Sequence, residues 1–357
     1  MAIVAHTRPF VIGVDTHARN HAISVLACPA GELVDESQFP ATTAGLSRAV
    51  SWAARRTGGD ADALWVIEGT GTYGARLARA AADAGYTVVE APRMNARANR
   101  GIGKSDPLDA RRIAAATLPL RETQLRQPRA DDGIRAAVKV LLASRDHMST
   151  ERTATINALT ALLRVVDLSI DARHPLTQAQ ITTIVGWRTR DEDLATATAR
   201  GEANRLARRV AALDEELKQI TKRITELLRQ SPAGELLDQP GIGPVTAAVA
   251  LTAWSHLGRI RSEAAFASLA GASPIPASSG NTVRHRINRG GDRRLNRALH
   301  MAIVTRMRMD PRTRAYVERR TAEGRTPREI RRCLKRYLAR EIYRRLNTAA
   351  RTKLATT

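Results

Sequence analysis

The sequence predicts an α/β domain at the N-terminus, a helical arm in the middle and a mainly α-helical C-terminal region. Three observations carry this. Residues 10–90 alternate short β-branched runs with helix-period segments; residues 206–227 space apolar side chains in alternating steps of four and three; and beyond residue 231 strand signals give way to Gly/Pro turns and arginines at helical spacing.

In chain order, Phe10 to Asp15 is a short apolar run ending in an acid, and His21 to Leu26 and Glu32 to Phe39 are two more runs, separated by the turn residues Cys28-Pro-Ala-Gly31. These read as three antiparallel strands. A helix from Thr43 to Arg56, a strand Ala63 to Glu68, a helix Tyr73 to Ala84 and a strand Tyr86 to Glu90 follow. Residues 92–105 lack a period and carry Arg93, Arg97, Arg100 and Lys104, which reads as a basic loop. A helix then opens at Asp106-Pro-Leu-Asp109, with Asp106 expected at the N-cap and Pro107 at the first helical position, where each is favoured.

Three meander strands, then helix, strand, helix, strand and helix, is the order of a ribonuclease H-like (RuvC-like) domain. In it, Asp15 and Glu68 lie on neighbouring strands while Asp106 and Asp109 share a helix face, so four carboxylates can converge. Each alone has a plain use as strand end, surface acid, helix cap or dipole partner. In a chain this basic, their clustering makes sense if they hold a divalent cation that phosphate chemistry requires.

The arm carries Leu206, Val210, Leu213, Leu217, Ile220, Ile224 and Leu227, the period of a coiled-coil seam. Its partner is either an earlier helix containing Ile134, Val138, Leu142, Ile156, Leu159 and Leu163 or a second subunit; both arrangements satisfy the spacing. The link of residues 167–190 contains Pro175 and has weak periodicity. The expected domains are residues 1–125, 126–230 and 231–357.

Charge names the partner class. With 57 Lys and Arg against 35 Asp and Glu, the net charge is +22, which calls for a polyanion. From Arg284 to Lys353 there are 23 Lys and Arg against six acids, so about +17 of this excess sits in the last fifth of the chain. Two cysteines, Cys28 and Cys333, are too few for a zinc cluster or disulfide framework. No apolar run approaches a membrane span, and the first ten residues lack a signal-peptide core, so a cytoplasmic protein is expected.

Two further segments invite phosphate. Leu236 to Ala250, around Pro240-Gly-Ile-Gly243-Pro, has the form of a helix-hairpin-helix, in which Gly241 and Gly243 allow the turn and helix amides meet a phosphate oxygen; an ordinary helix turn has the same composition. Gly69 to Gly74 is glycine-rich but lacks the Gly-Lys-Ser/Thr of a P-loop, so no nucleotide hydrolysis is expected. Ser278 and Ser279 precede Gly280 in a loop followed by Arg284, Arg286, Arg289, Arg293 and Arg294. A serine there is an ordinary loop residue unless a base, cation or metal activates it.

Gly13-Val-Asp15-Thr-His, Ile67-Glu68-Gly-Thr-Gly, Lys104-Ser-Asp106-Pro-Leu-Asp109-Ala, Pro240-Gly-Ile-Gly-Pro-Val-Thr-Ala, and Ser279-Gly followed by Ile287-Asn-Arg-Gly-Gly-Asp-Arg resemble, in order, the insertion-sequence transposases that pair a RuvC-like acidic tetrad with a C-terminal serine domain. That family includes bridge-RNA-guided recombinases, and the Piv invertase is a relative. The resemblance implies that Asp15, Glu68, Asp106 and Asp109 bind Mg2+, two ions about 4 Å apart per site. It implies that Ser279, the serine directly before the glycine, forms a phosphoserine link to DNA, with Ser278 its neighbour. Lys104, Gly241, Gly243, Arg284, Arg286, Arg289, Arg293 and Arg294 become candidate nucleic-acid contacts. The implied partners are DNA at element ends and target, a structured guide RNA, and further copies of the chain in a dimer or tetramer. Two rival readings are a RuvC-like nuclease or junction resolvase using water, and a non-catalytic architectural protein, which leaves the acidic cluster without a purpose.

Overall fold

The computed structural model describes residues 2–92, 105–129, 133–278, 280–281, 285–286, 288 and 290–355. It comprises two compact units, Met1–Asp131 and Asp132–Thr357. No helix among the described residues is long and apolar enough to cross a membrane.

The first unit opens with a one-turn helix α1 (Val4–Thr7), which the sequence reading did not foresee. It continues with β1 (Phe10–Thr16), β2 (Asn20–Ala27), β3 (Glu32–Pro40), α2 (Thr43–Arg56), β4 (Leu64–Ile67), α3 (Ala75–Asp83), β5 (Thr87–Glu90) and α4 (Asp106–Thr117). The five strands form one sheet in the order β3-β2-β1-β4-β5. The first three strands pair antiparallel, and β1–β4 and β4–β5 pair parallel. Successive strand residues face opposite sides, so the sheet has two cores. Ile12, Val14, Ile23, Val25, Trp65 and Ile67 pack with α2 and α3, and Val11, Leu26, Leu64, Val66 and Val89 pack with α1 and α4.

One expectation is corrected at α4. The N-cap is Ser105 rather than Asp106, and Asp106 is the first helical residue. The Asp106 carboxylate is thereby released from capping. The basic loop read at residues 92–105, including Lys104, lies almost wholly outside the described residues.

The second unit begins with α5 (Gly133–Val165), α6 (Gln178–Val185) and α7 (Leu194–Arg229). Val138 and Leu142 share a core with Ile224 and Leu228, while Leu159 and Leu163 share another with Ala199 and Ala203, so α5 and α7 run antiparallel within the chain. Arg152 pairs with Asp214, and Arg209 with Glu151, across them. The link that read as weakly periodic contains α6, started by Thr177 and Gln180 in a capping box and tied to α7 by Asn204 Nδ2, which donates to the Ile184 carbonyl at 2.7 Å. It is short, with Ile181 and Ile184 its only buried residues, too few for a visible period.

Then come α8 (Pro244–Trp254), α9 (Glu263–Leu269), β6 (Ile275–Pro276), β7 (His285–Arg286), α10 (Arg293–Met309), α11 (Pro311–Ala322) and α12 (Pro327–Ala355). The base of the α5/α7 pair joins the core of this helical region: Val138, Leu142, Ile224 and Leu228 pack with Trp254, Phe266, Leu299 and Ile342. That shared core makes arm and C-terminal region one compact unit where composition suggested two segments. Of the Leu236–Ala250 stretch read as a helix-hairpin-helix, the structure has one α-helix, α8, preceded by a single 3-10 turn, Gly234–Leu236.

Candidate metal centre and nucleic-acid interface

The acidic centre grows from the register of β1. Asp15 is 7% exposed near the end of that strand. The neighbouring parallel strand pairs Ile67 with Val14, and the Glu68 amide donates to the Val14 carbonyl at 3.0 Å. This sets Glu68 beside Asp15, and Thr16 Oγ1 holds the Glu68 carbonyl at 3.0 Å.

What brings α4 onto the same spot is Gly13. A Cβ there would lie 2.2 Å from the Ala110 carbonyl oxygen and 2.7 Å from the Ala114 amide nitrogen, so only glycine lets the helix lie this close to the strand. Opposite it on β2, Ser24 Oγ donates to the Pro107 carbonyl at 3.3 Å. The first turn of α4 then carries Asp106 and Asp109 over the strand ends.

His17, which the sequence reading left without a role, completes the cluster. Its Nε2 lies 3.1 Å from Asp15 Oδ2 and 3.5 Å from Asp106 Oδ1. One donor atom from each of Asp15, His17 and Asp106 falls within 4.8 Å of the others, close enough to share one ion after small adjustment. Burial first, then the like charges of Asp15 and Asp109, push the Glu68 carboxyl above its usual range. Asp109 is partly neutralised by Arg112 Nη1 at 2.9 Å. The structure thus brings Asp15 and Asp106 together with His17, and sets Glu68 in the field of Asp15 and Asp109. His17 directly follows β1, two residues after Asp15, and that closeness in sequence is the one signal that pointed to it.

The serine segment is built differently. β6 and β7 pair Ile275 with Arg286 and Pro276 with His285, making a short hairpin of what read as a loop. Ser278 is exposed beyond β6. Ser279, Arg284 and Arg289 lie outside the described residues. Around the foot of the hairpin, Asn288 Nδ2 donates to the Ser268 carbonyl at 3.1 Å, the Asp292 amide to the Leu269 carbonyl at 2.6 Å, and Asn296 Nδ2 to the Ala270 carbonyl at 2.6 Å. A Cβ at Gly291 would sit 2.5 Å from the Gly271 amide nitrogen, so the two stems touch through bare backbone.

Among the other candidate contacts, Arg286 and Arg293 are exposed. Arg294 turns inward, 2.8 Å from Asp146 and donating to the Leu142 carbonyl at 3.0 Å. The two turn glycines also separate. Gly241 has φ +71° and no room, since a Cβ would be 2.6 Å from the Ala302 carbonyl, whereas nothing lies within 4 Å of one at Gly243. Gly243 is the N-cap of α8, whose first turn has no side-chain cap.

Comparison with known proteins follows this division. Residues 12–166 match the DEDD_Tnp_IS110 transposase family model, and residues 233–318 match the model of the Transposase IS116/IS110/IS902 family. The chain belongs to the IS110/IS116/IS902 transposase family. The insertion element IS110 uncharacterized 43.6 kDa protein of Streptomyces coelicolor is 27% identical, with 84% of each chain covered. The insertion element IS900 uncharacterized 42 kDa protein of Mycobacterium paratuberculosis is 26% identical over 89% of this chain and 90% of its own. The insertion element IS116 uncharacterized 44.8 kDa protein of Streptomyces clavuligerus is 28% identical over 73% of this chain and 76% of its own. The protein is a DNA transposase of this family, and its acidic centre lies within the first matched segment.

Proposed function

We propose that this transposase cuts and rejoins DNA through a RuvC-like acidic centre that binds Mg2+ and a Ser279 nucleophile. The observation that carries the reading is the meeting of Asp15, His17 and Asp106 at one point, with Glu68 beside it. Carboxylates crowded this closely repel one another unless a cation lies among them, and oxygen donors suit Mg2+. Asp15, Glu68, Asp106 and Asp109 are the residues that would hold it. When bound, such an ion polarises a phosphodiester and stabilises charge on attacking and leaving oxygens.

In this reading Ser279 Oγ gives its proton to water and attacks phosphorus, the phosphorus–oxygen bond to deoxyribose breaks, and the leaving sugar oxygen takes a proton from water to depart as a hydroxyl. The phosphoserine link keeps the bond energy, so rejoining needs no nucleotide hydrolysis, in keeping with a sequence that has no P-loop. Exposed Arg286 and Arg293 border the hairpin and suit phosphate contact. A guide RNA and assembly as a dimer or tetramer belong to the same proposal, resting on the family resemblance.

The test is a denaturation-resistant protein–DNA adduct. Wild type should form it and Ser279→Ala should not; an adduct that persists places the nucleophile elsewhere. Cleavage by wild type with no adduct at all favours water as the nucleophile.

A further inference from the structure

The chain has six lysines, and Lys335 is one of two in a C-terminal stretch otherwise basic through arginine. It sits half-buried on α12. Its Nζ donates to Asn296 Oδ1 at 3.0 Å, and the other end of that amide, Nδ2, holds the Ala270 carbonyl at the foot of the hairpin. A buried ammonium normally has a carboxylate beside it. Among the described residues none lies in ion-pair range of Lys335, and five of the six acids of this region are committed elsewhere. Asp292 and Asp310 cap α10 and α11. Glu341 pairs with Arg306 at 3.0 Å, Glu323 with Arg320, and Glu329 with Arg325 at 4.0 Å while accepting from Thr326.

The neighbours of Lys335 make its position less favourable still. Arg331 and Arg332 precede it by four and three residues, the spacing that shares a helix face. Burial first, then the charges of Arg332 and Arg331, push the ammonium below the usual lysine value. Glu329 offsets part of the Arg332 charge, and the Arg331 Nε donates to the Pro327 carbonyl at 3.0 Å. Arg331 and Arg332 lie on the turn of α12 before Lys335, and an anion bound beside the ammonium would be stabilised by these charges.

We propose that Lys335, with Arg331 and Arg332, seats a backbone phosphate of bound nucleic acid at the foot of the hairpin. A compact ammonium fits this half-buried place, where a guanidinium needs more room and its own planar partner. Through Asn296, the bound phosphate would be linked to the stem from which the hairpin rises. The inference rests on the reading above only in taking the hairpin to carry the nucleophile, and its test needs no covalent step.

Equilibrium binding of the full chain to a labelled DNA duplex, and to an RNA duplex of the same length, is measured across a salt series for wild type, Lys335→Met and Lys335→Arg. Lys335→Met should weaken binding to one or both polymers roughly five- to tenfold and lower the slope of log affinity against log salt by about one, with Lys335→Arg between it and wild type. Whichever polymer shows the change identifies the source of the phosphate. Should Lys335→Met fail to fold, Lys335→Gln, which keeps a polar head against Asn296, is read the same way. Unchanged affinity and slope with both polymers overturns the proposal. So does a loss of hydrogen-exchange protection at Asp292 with the slope unchanged, which makes Lys335 a brace and no more. The adduct test on Ser279 fails or succeeds independently of these results.

Discussion

Asp15 lies on β1 and Glu68 directly follows the adjacent β4, and backbone hydrogen bonds fix their spacing before any side chain is considered. Among the described residues the serine hairpin has two paired residues per strand, and side chains of Asn288 and Asn296 stitch its foot to the C-terminal end of α9 and the residue after it. The acidic centre is set by strand register, whereas the foot of the hairpin is tied by the Asp292 amide together with the two asparagine side chains. In the proposed function the carboxylates would need a fixed geometry, because a shared Mg2+ tolerates little displacement.

The comparison can be broken most sharply at α4. Asp106→Asn should lower strand exchange by several orders of magnitude and leave nucleic-acid affinity intact; an unchanged recombination assay would take the acidic centre out of the mechanism. Next in size is Gly13→Val, which forces its side chain into the Ala110 carbonyl. We expect it to cost about 3 kcal/mol or more in chemical denaturation and to abolish Mn2+ binding measured by calorimetry, since the first turn of α4 must leave the sheet. A variant as stable as wild type would show that register alone does not assemble the centre.

A smaller effect separates the two turn glycines. Gly241→Ala should lose about 1–3 kcal/mol through its positive φ and the Ala302 carbonyl, and Gly243→Ala no more than about 0.5. Equal losses in thermal melts would contradict their different surroundings. The smallest is a pH effect at Glu68. Its carboxyl is raised in the fold, so it holds a proton more tightly folded than unfolded. Its contribution to stability is therefore full below the ordinary glutamate value and is lost as pH rises through the raised one. In metal-free protein, Glu68→Gln should remove this component from the pH dependence of the melting temperature, and saturating Mg2+ should suppress it in wild type; a wild-type curve identical to that of the variant would refute the crowding.

Much of the first unit was legible because its signals are local. Thr43–Arg56 begins and ends where Thr42 and the last apolar position place it, and each strand run is closed by a turn residue or an acid. The N-cap of α4 was misplaced by one residue, because Ser105 and Asp106 are both good caps and only the chain path chooses between them. Likewise α6 escaped notice, its capping box being visible but its apolar face too short to register. His17 was in plain view beside Asp15, yet a histidine after a strand has no address until the opposite helix arrives.

The amino-acid order by itself determined the alternation of strands and helices, the basic C-terminal stretch, the four acids as a set and the serine before a glycine, because all of these are properties of neighbours along the chain. Tertiary structure alone decided that His17 joins Asp15 and Asp106, that Arg294 turns inward to Asp146, that Gly241 serves packing while Gly243 stays open, and that Lys335 meets Asn296 and, among the described residues, no carboxylate. Those outcomes depend on which surfaces close over one another, and the distances that set charge, room and coordination exist only once they have closed.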